Sequence, residues 1–187
     1  EASWQNPDVM YAVYYTAWFG SKKVYKTVNG GTTWTDVTPP SALFGTANRW
    51  SPLDIAVRRD DENHIWPVRT MQSSSYANLD GVKTYYSAKG GTTWTNITTP
   101  TLDGEYLTNV EYQRGTDAVY LGTRRAVYYR NSSMSDWQLF NNSLPASIFS
   151  VTLLIDYRQR KIRSATERSV WQCDLYEPPQ TVAAISA

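Results

Sequence analysis

A twelve-residue segment occurs twice in this chain, 60 residues apart. The copy at 27–38 reads Thr-Val-Asn-Gly-Gly-Thr-Thr-Trp-Thr-Asp-Val-Thr, and the copy at 87–98 reads Ser-Ala-Lys-Gly-Gly-Thr-Thr-Trp-Thr-Asn-Ile-Thr. Glycine supplies the positive φ that tight hairpin turns need, and strand-forming residues flank each Gly-Gly pair. Each copy therefore predicts a β-hairpin, and the repetition predicts a repeat architecture.

Two weaker copies follow the second one. Val127–Arg130 and Val170–Cys173 match the strands that precede the Gly-Gly turns, so that equivalent strands begin at 24, 84, 127 and 170. A spacing of about 40–50 residues is typical of four-stranded propeller blades. We therefore predict an all-β chain, a β-propeller segment of about four blades that is part of a larger propeller. The predicted domain is 1–177, with units at about 5–40, 50–99, 106–141 and 148–177, and 178–187 is a predicted linker to a following domain.

Alternating apolar and aromatic residues place the strands within each unit. The middle units each supply four candidate strands, whereas the first lacks a convincing innermost strand and the last lacks an outermost one. The predicted strands are Val9–Thr16, Lys22–Val28 and Thr33–Val37; Pro52–Val57, His64–Arg69, Val82–Ala88 and Thr93–Thr98; Leu107–Tyr112, Ala118–Gly122, Ala126–Arg130 and Asp136–Phe140; and Phe149–Tyr157, Lys161–Thr166 and Ser169–Leu175.

Open sheet edges are normally covered in folded proteins. We therefore expect blades from the same precursor or from another chain to complete the ring, with a small contribution from residues 2–4. An isolated monomer of this chain is expected to be unstable or prone to aggregation.

The two Gly-Gly segments resemble the Asp-box, or bacterial neuraminidase repeat, with the pattern Ser/Thr-x-Asp-x-Gly-x-Thr-Trp. Asn29 and Lys89 stand at the acidic position of the two copies. The resemblance covers about 7–177 and implies the C-terminal blades of a propeller in a large secreted bacterial multidomain protein, similar to sialidases, sortilin-type propellers and xyloglucan-degrading glycosidases. It implies a structural role, with both Trp side chains buried between blades, for the matching residues Thr27, Asn29, Gly31, Thr33, Trp34, Ser87, Gly91, Thr93 and Trp94.

Composition argues against several classes of function. The 18 Lys and Arg residues against 17 Asp and Glu leave a net charge of +1, too small to attract nucleic acid over a distance. No stretch approaches the roughly 20 apolar residues of a membrane-spanning helix. The Gly-Gly pairs lead into strands rather than into a helix N-terminus that could hold a phosphate. His64 has no second metal ligand nearby in the sequence, and Cys173 is expected to be a buried, unreactive thiol, so we predict no metal and no cofactor.

Propeller geometry predicts where a ligand binds. Loops that join strands two and three of a blade, or one blade to the next, share one face, which we call the loop face; the Gly-Gly turns share the opposite turn face. Aromatic rings with interleaved polar groups on the loop face suit a saccharide or a protein ligand, and the alternative is that these rings cap the core under their own loops. The candidate binding residues are Trp18, Phe19, Phe44, Arg49, Trp50, Tyr76, Asp80, Arg124 and Arg125.

Evidence for catalysis is weaker. A glycosidase needs two carboxylates that face the scissile bond, and no spacing identifies a pair, nor an arginine cluster among Arg49, Arg124, Arg125 and Arg168. We predict a non-catalytic interaction or glycan-binding segment of a secreted or cell-surface protein. One alternative is part of a glycoside hydrolase with catalytic carboxylates partly on blades outside this chain, and another is an assembly subunit whose aromatic loops a partner buries. The available carboxylates are Asp54, Asp80, Asp103, Glu105, Glu111, Asp156 and Glu167.

Overall fold

The computed structural model describes residues 1–15, 22–40, 53–70, 80–141 and 150–176. These residues form fourteen β-strands and a single 3₁₀ turn at Pro100–Leu102. The prediction of an all-β chain is confirmed. Its physical basis is the abundance of aromatic and β-branched side chains, which pack well on a pleated sheet surface.

The strands form four antiparallel groups in chain order, which we call blades 1 to 4. Isolated bridges between Ile65 and Ser87 and between Val68 and Thr84 join two short hairpins into the single sheet of blade 2. Blade 1 contains β1 (Met10–Tyr15), β2 (Lys22–Thr27) and β3 (Thr35–Asp36); blade 2 contains β4 (Leu53–Val57), β5 (Ile65–Arg69), β6 (Tyr85–Tyr86) and β7 (Thr95–Asn96); blade 3 contains β8 (Leu107–Tyr112), β9 (Val119–Thr123), β10 (Val127–Arg130) and β11 (Gln138–Leu139); and blade 4 contains β12 (Ser150–Asp156), β13 (Lys161–Thr166) and β14 (Val170–Asp174).

The described strands therefore number three, four, four and three per blade, as predicted, and each predicted strand overlaps an observed one. The missing inner strand of blade 1 is partly replaced by the first three residues. Ala2 bridges Met10, the Ser3 amide donates to the Val9 carbonyl at 3.0 Å, and the Tyr11 amide donates to the Glu1 carbonyl at 2.8 Å. The expected small contribution of this segment is confirmed.

The core lies between the blades. A middle sheet is covered on both faces, which favours strands that are mostly apolar, and all five residues of Val119–Thr123 are buried. β1, β4, β8 and β12 contact one another in that order. Three hydrophobic clusters fill the spaces between neighbouring blades; their largest members include Tyr11, Val24, Ile65 and Tyr85 between blades 1 and 2, Trp66, Leu107, Tyr112 and Trp137 between blades 2 and 3, and Tyr120, Tyr129, Phe140 and Ile162 between blades 3 and 4.

Two partly buried carboxylates link the inner strands of successive blades. Asp54 of β4 accepts the Val110 amide of β8 at 3.0 Å. Glu111 of β8 in turn accepts the Ile155 amide of β12. Burial raises the pKa of Asp54 and raises the pKa of Glu111 to about 7. These two carboxylates thus support the packing of inner strands, at positions where a catalytic role was considered from the sequence.

The raised pKa of Glu111 predicts a pH-dependent stability. Between about pH 4.5 and 7 the folded chain holds a proton on this group that the unfolded chain releases, so its contribution to the free energy of unfolding falls as pH rises. Glu1 and Asp54 raise this pKa further, while Arg59 lowers it. We expect Glu111→Gln, which keeps an acceptor for the Ile155 amide, to raise the free energy of unfolding by about 2 kcal/mol at pH 8 and to leave it unchanged near pH 4.5. Urea unfolding at both pH values measures this, and an equal effect at both would contradict it.

Candidate functional site

The first Gly-Gly turn is held by its own polar side chains. The buried Thr27 hydroxyl donates to the Asn29 side-chain oxygen at 2.9 Å and accepts the Gly31 amide at 3.0 Å. The Asn29 oxygen also accepts the Thr33 amide at 2.9 Å, and the Asn29 side-chain amide donates to the Thr33 hydroxyl at 2.9 Å. An asparagine thus satisfies the turn backbone where the resemblance expects an aspartate.

The second turn keeps only the hydroxyl part of this arrangement. The buried Ser87 hydroxyl accepts the amides of Lys89 at 3.1 Å and Gly91 at 2.9 Å. Lys89 is exposed. Two features of position 91 require glycine. Its φ is +88°, and a Cβ there would lie 2.6 Å from the Cβ of Val37 in blade 1. The second turn therefore packs directly against the neighbouring blade.

The two turn tryptophans differ in their surroundings. Trp94 packs against the cluster between blades 1 and 2 and donates from its indole nitrogen to the Val37 carbonyl at 3.1 Å. Trp34 is 42% exposed and donates to the Gly31 carbonyl of its own turn at 3.0 Å. The expectation that both side chains are largely buried is wrong for Trp34, and Trp94 is only partly buried. The reason is the side of the blade that each faces: Trp94 faces blade 1, and Trp34 faces away from blade 2.

This difference in packing predicts that removing the two indole rings lowers the free energy of unfolding by unequal amounts. We expect Trp94→Ala to lower the free energy of unfolding by about 3 kcal/mol, because it removes a core side chain and leaves the Val37 carbonyl without its donor. Trp34→Ala is the matched control and is expected to cost about 1 kcal/mol or less. Denaturant unfolding of both variants checks this, and equal losses would show that the exposed ring matters as much as the packed one.

Most of the candidate binding residues lie outside the described part of the chain. Trp18, Phe19, Phe44, Arg49, Trp50 and Tyr76 belong to this group. Asp80, Arg124 and Arg125 are described, and the first two lie against the loop that joins blades 2 and 3. The Gly104 amide donates to the Asp80 carboxylate at 3.0 Å, and the Arg124 amide donates to the Tyr106 carbonyl at 3.1 Å. The structure therefore brings this part of the loop face together.

A buried lysine fixes the loop between blades 2 and 3. The Lys83 side chain is 1% exposed and forms an ion pair with Asp80 at 2.7 Å. Its ammonium group also donates to the Leu102 carbonyl and, at 2.9 Å, to the Glu105 carbonyl. A buried charge is tolerated when paired and hydrogen-bonded in this way. Sequence reasoning did not single out Lys83, although a lysine within a predicted strand is a signal that could have revealed it.

This loop and the turn between β9 and β10 together present aromatic and charged groups. The Arg124 guanidinium lies 5.5 Å from the centre of the Tyr106 ring, and both side chains are partly exposed. Arg125 is exposed beside them. Burial, followed by the charge of Glu105, raises the pKa of Tyr128 to about 12. This arrangement offers a flat ring and two cations on one part of the loop face.

The other candidate carboxylates have structural partners or lie in open turns. Asp156 forms an ion pair with Arg163 at 2.8 Å, and the Asp103 amide closes the 3₁₀ turn by donating to the Pro100 carbonyl. Glu167 is exposed in the turn between β13 and β14. Among the described acidic residues, Glu1 and Glu111 line one small pocket together with Arg59, and Glu111 there accepts the Ile155 amide.

We expect Lys83→Met to destabilise the loop between blades 2 and 3. Methionine has a similar length but cannot pair with Asp80 or donate to the two carbonyls, so the free energy of unfolding should fall by about 2–4 kcal/mol. Lys89→Met, at an exposed turn position, is the matched control and should change it by about 0.5 kcal/mol or less. Urea unfolding measures both. Indistinguishable midpoints for the two variants would contradict the role of Lys83.

A second aromatic–arginine cluster lies outside the predicted face. The Trp4 ring lies between two guanidinium groups, 4.3 Å from Arg59 and 4.1 Å from Arg114, and Arg114 also lies 4.6 Å from the Tyr157 ring. Cation–π contacts of this kind hold the N-terminal segment against two hairpin turns. Sequence reasoning missed this cluster because its members come from separate hairpins.

His64 has one aromatic and one acidic neighbour within reach of its ring nitrogens. Its Nδ1 lies 2.5 Å from the Tyr86 hydroxyl, and its Nε2 lies 3.4 Å from the Asp61 carboxylate. Among the described residues, no three His, Cys, Asp or Glu side chains are grouped to hold a metal ion.

Burial raises the pKa of the partly buried Cys173 thiol. The described segments also contain no helix that is long and apolar enough to cross a membrane.

Comparison with known proteins identifies the fold. No protein-family model and no curated protein sequence matches the chain. A GH74 xyloglucanase from Xanthomonas campestris superimposes with a TM-score of 0.62 at 11% identity, over 92% of this chain and 27% of that one. An auxiliary nutrient binding protein from Bacteroides thetaiotaomicron gives 0.61 at 10% identity, over 93% and 37%.

A third similar structure is YCF48 bound to D1 peptide, with a TM-score of 0.56 at 16% identity, over 89% of this chain and 48% of that one. The chain therefore spans about a quarter to a half of the length of these structures. Together with the blade order, these likenesses show a segment of a β-propeller. Identities of this size support the fold alone.

Proposed function

We propose that this chain is the non-catalytic, glycan-binding part of a β-propeller in a secreted or cell-surface bacterial protein, with Asp-box turns on one face and a saccharide-binding surface on the other. The observation that carries the proposal is the grouping of Tyr106, Arg124 and Arg125 on the loop face. A tyrosine ring packs against the C–H groups of a sugar, and guanidinium groups donate to its hydroxyls. The remaining blades come from the same precursor or from another chain.

The rigidity of this surface supports the proposal. The loop that carries Tyr106 is held by the ion pair of Lys83 with Asp80 and by the Gly104 amide. A surface that is ordered before binding loses less conformational entropy when the ligand arrives. Asp80 thus contributes by positioning the loop, and the aromatic and guanidinium groups contribute the contacts.

The absence of catalysis is proposed from the roles of the acidic side chains. Asp54 and Glu111 accept amides of neighbouring inner strands, Asp80 pairs with Lys83, and Asp156 pairs with Arg163. A glycosidase instead needs two carboxyl groups about 5–9.5 Å apart on either side of a bound sugar.

We expect the full chain to bind a subset of polysaccharides on an array that includes xyloglucan, and we expect Tyr106→Ala and Arg124→Ala to weaken binding at least about tenfold, as loss of a ring contact or a charged hydrogen bond does. Lys89→Ala, on the turn face, is the control and should bind normally. Trp18→Ala and Trp50→Ala are also expected to weaken binding. Titration calorimetry with the polysaccharide that binds best measures the affinity of all five variants. Loss of binding in Lys89→Ala alone would show that the binding site lies on the turn face and not on the loop face.

A second candidate function is part of a glycoside hydrolase. The similarity to a GH74 xyloglucanase favours it. This candidate requires carboxylates from blades outside the chain, so the chain alone is expected to release no reducing sugar from xyloglucan. Release of reducing sugar from xyloglucan by the purified chain would replace the binding proposal with catalysis.

A further inference from the structure

Two arginines of neighbouring blades meet on the turn face. Arg59 belongs to the turn between β4 and β5, and Arg114 belongs to the turn between β8 and β9. Their guanidinium carbons lie 4.3 Å and 4.1 Å from the centre of the same Trp4 ring. The Gly90 amide of the second Gly-Gly turn donates to the Asn63 carbonyl at 2.8 Å, so the turn that carries Arg59 lies on the same face as the Gly-Gly turns.

Contacts with several segments fix this cluster. The Arg114 amide donates to the Tyr157 hydroxyl at 2.8 Å, and the Arg114 guanidinium lies 4.6 Å from the centre of the Tyr157 ring. Ser3, which precedes Trp4, is buried and donates from its hydroxyl to the Glu62 carboxylate at 3.4 Å. The N-terminal segment and the turns of blades 2, 3 and 4 therefore position the two cations beside one indole before a ligand arrives, which lowers the entropy cost of binding.

Within the described part of the chain, these two guanidinium groups have no carboxylate partner. Neither Arg59 nor Arg114 forms an ion pair there, and the buried Nε of Arg114 has no hydrogen-bond acceptor. Arg59 shares a small pocket with Glu1 and Glu111 without pairing to either. Every other acidic residue of the chain except Glu177 is also described. Two like charges held together in this way favour an anion as the ligand.

The surrounding turns narrow the chemistry of that anion. Arg158 and Arg160 are exposed in the turn between β12 and β13 and add positive charge. The turn that carries Arg59 continues with Asp60 and Asp61, whose carboxylates remain partly exposed. These carboxylates repel a run of adjacent acidic groups but accept hydrogen bonds from hydroxyl groups. The cluster therefore suits a ligand whose carboxylates are spaced apart with hydroxyl groups between them.

We propose that this cluster binds a uronic acid residue of an acidic polysaccharide. Arg59 and Arg114 donate to the carboxylate, because planar guanidinium groups present paired donors that match its two oxygens. The Trp4 indole is 62% exposed and packs against the C–H groups of the sugar ring. The site lies on the face opposite to the surface around Tyr106 and does not depend on ligand binding there.

The test titrates the full chain with tetragalacturonate in a calorimeter. The matched control ligand is the methyl ester of the same tetrasaccharide, which keeps the sugar rings and loses the charges. The acid should bind at least about tenfold more tightly than the ester. Raising the salt concentration from about 0.05 M to about 0.5 M should weaken binding of the acid, because salt screens the attraction between charges.

Substitutions identify the residues that bind the acid. Arg59→Gln and Arg114→Gln should each weaken binding at least about tenfold, because each removes a charged hydrogen bond. Arg168→Gln, in the turn between β13 and β14, is the matched control at an exposed arginine and should leave binding within about twofold. Tyr106→Ala should also leave it within about twofold, which separates this site from the loop face. If Arg114→Gln lowers the melting temperature, Arg59→Gln and the ester decide the question.

Several results would overturn the proposal. Equal affinity for the acid and the ester, or no binding at about 10 mM tetragalacturonate, would show that the carboxylate is not recognised. Unchanged binding in Arg59→Gln and Arg114→Gln would leave these arginines with the structural role of holding Trp4. Equal losses in Arg59→Gln and Arg168→Gln would show attraction by overall charge. Binding of N-acetylated tetraglutamate amide as tightly as tetragalacturonate would assign the cluster to an acidic polypeptide instead.

Discussion

The contact between one blade and the next is the interaction on which the rest of the structure depends. No blade has a core of its own: each sheet is a single layer, and its apolar side chains are buried only against the neighbouring sheet. The indoles of Trp94 and Trp137 add a directed element, because each reaches a carbonyl of the preceding blade. Gly91 removes the Cβ that would collide with Val37, so the turn and the neighbouring strand approach closely.

Polar groups complete this interface where the inner strands meet. Asp54 and Glu111 each accept an amide of the next inner strand, and burial raises the pKa of both carboxyls. A buried carboxyl is tolerated there because backbone amides satisfy it. The same acidic residues that sequence reasoning considered for catalysis therefore join sheet to sheet.

The described part of the loop face also depends on the interface between blades 2 and 3. Blades 2 and 3 hold the two ends of the loop at 97–107, and Lys83 fixes its middle through Asp80 and two carbonyls. Tyr106 is consequently presented by a supported loop, and Arg124, from the turn between β9 and β10 of blade 3, lies beside it. A stack of sheets thus presents an ordered loop, which contains the 3₁₀ turn at Pro100–Leu102, between two of its blades.

The sequence by itself determined the secondary structure and the blade order. The repeated Gly-Gly turns fix the hairpins at Thr27–Trp34 and Ser87–Trp94 because only glycine accepts their positive φ without strain, and alternation of apolar residues places the remaining strands. Tertiary structure decided what each side chain does. Trp34 and Trp94 have the same local sequence, yet one is 42% exposed and the other packs on blade 1, since burial depends on a neighbour 57 residues away in the chain. Lys83, Glu111 and Trp4 gained their roles in the same way, because their partners come from other blades and no local pattern records them.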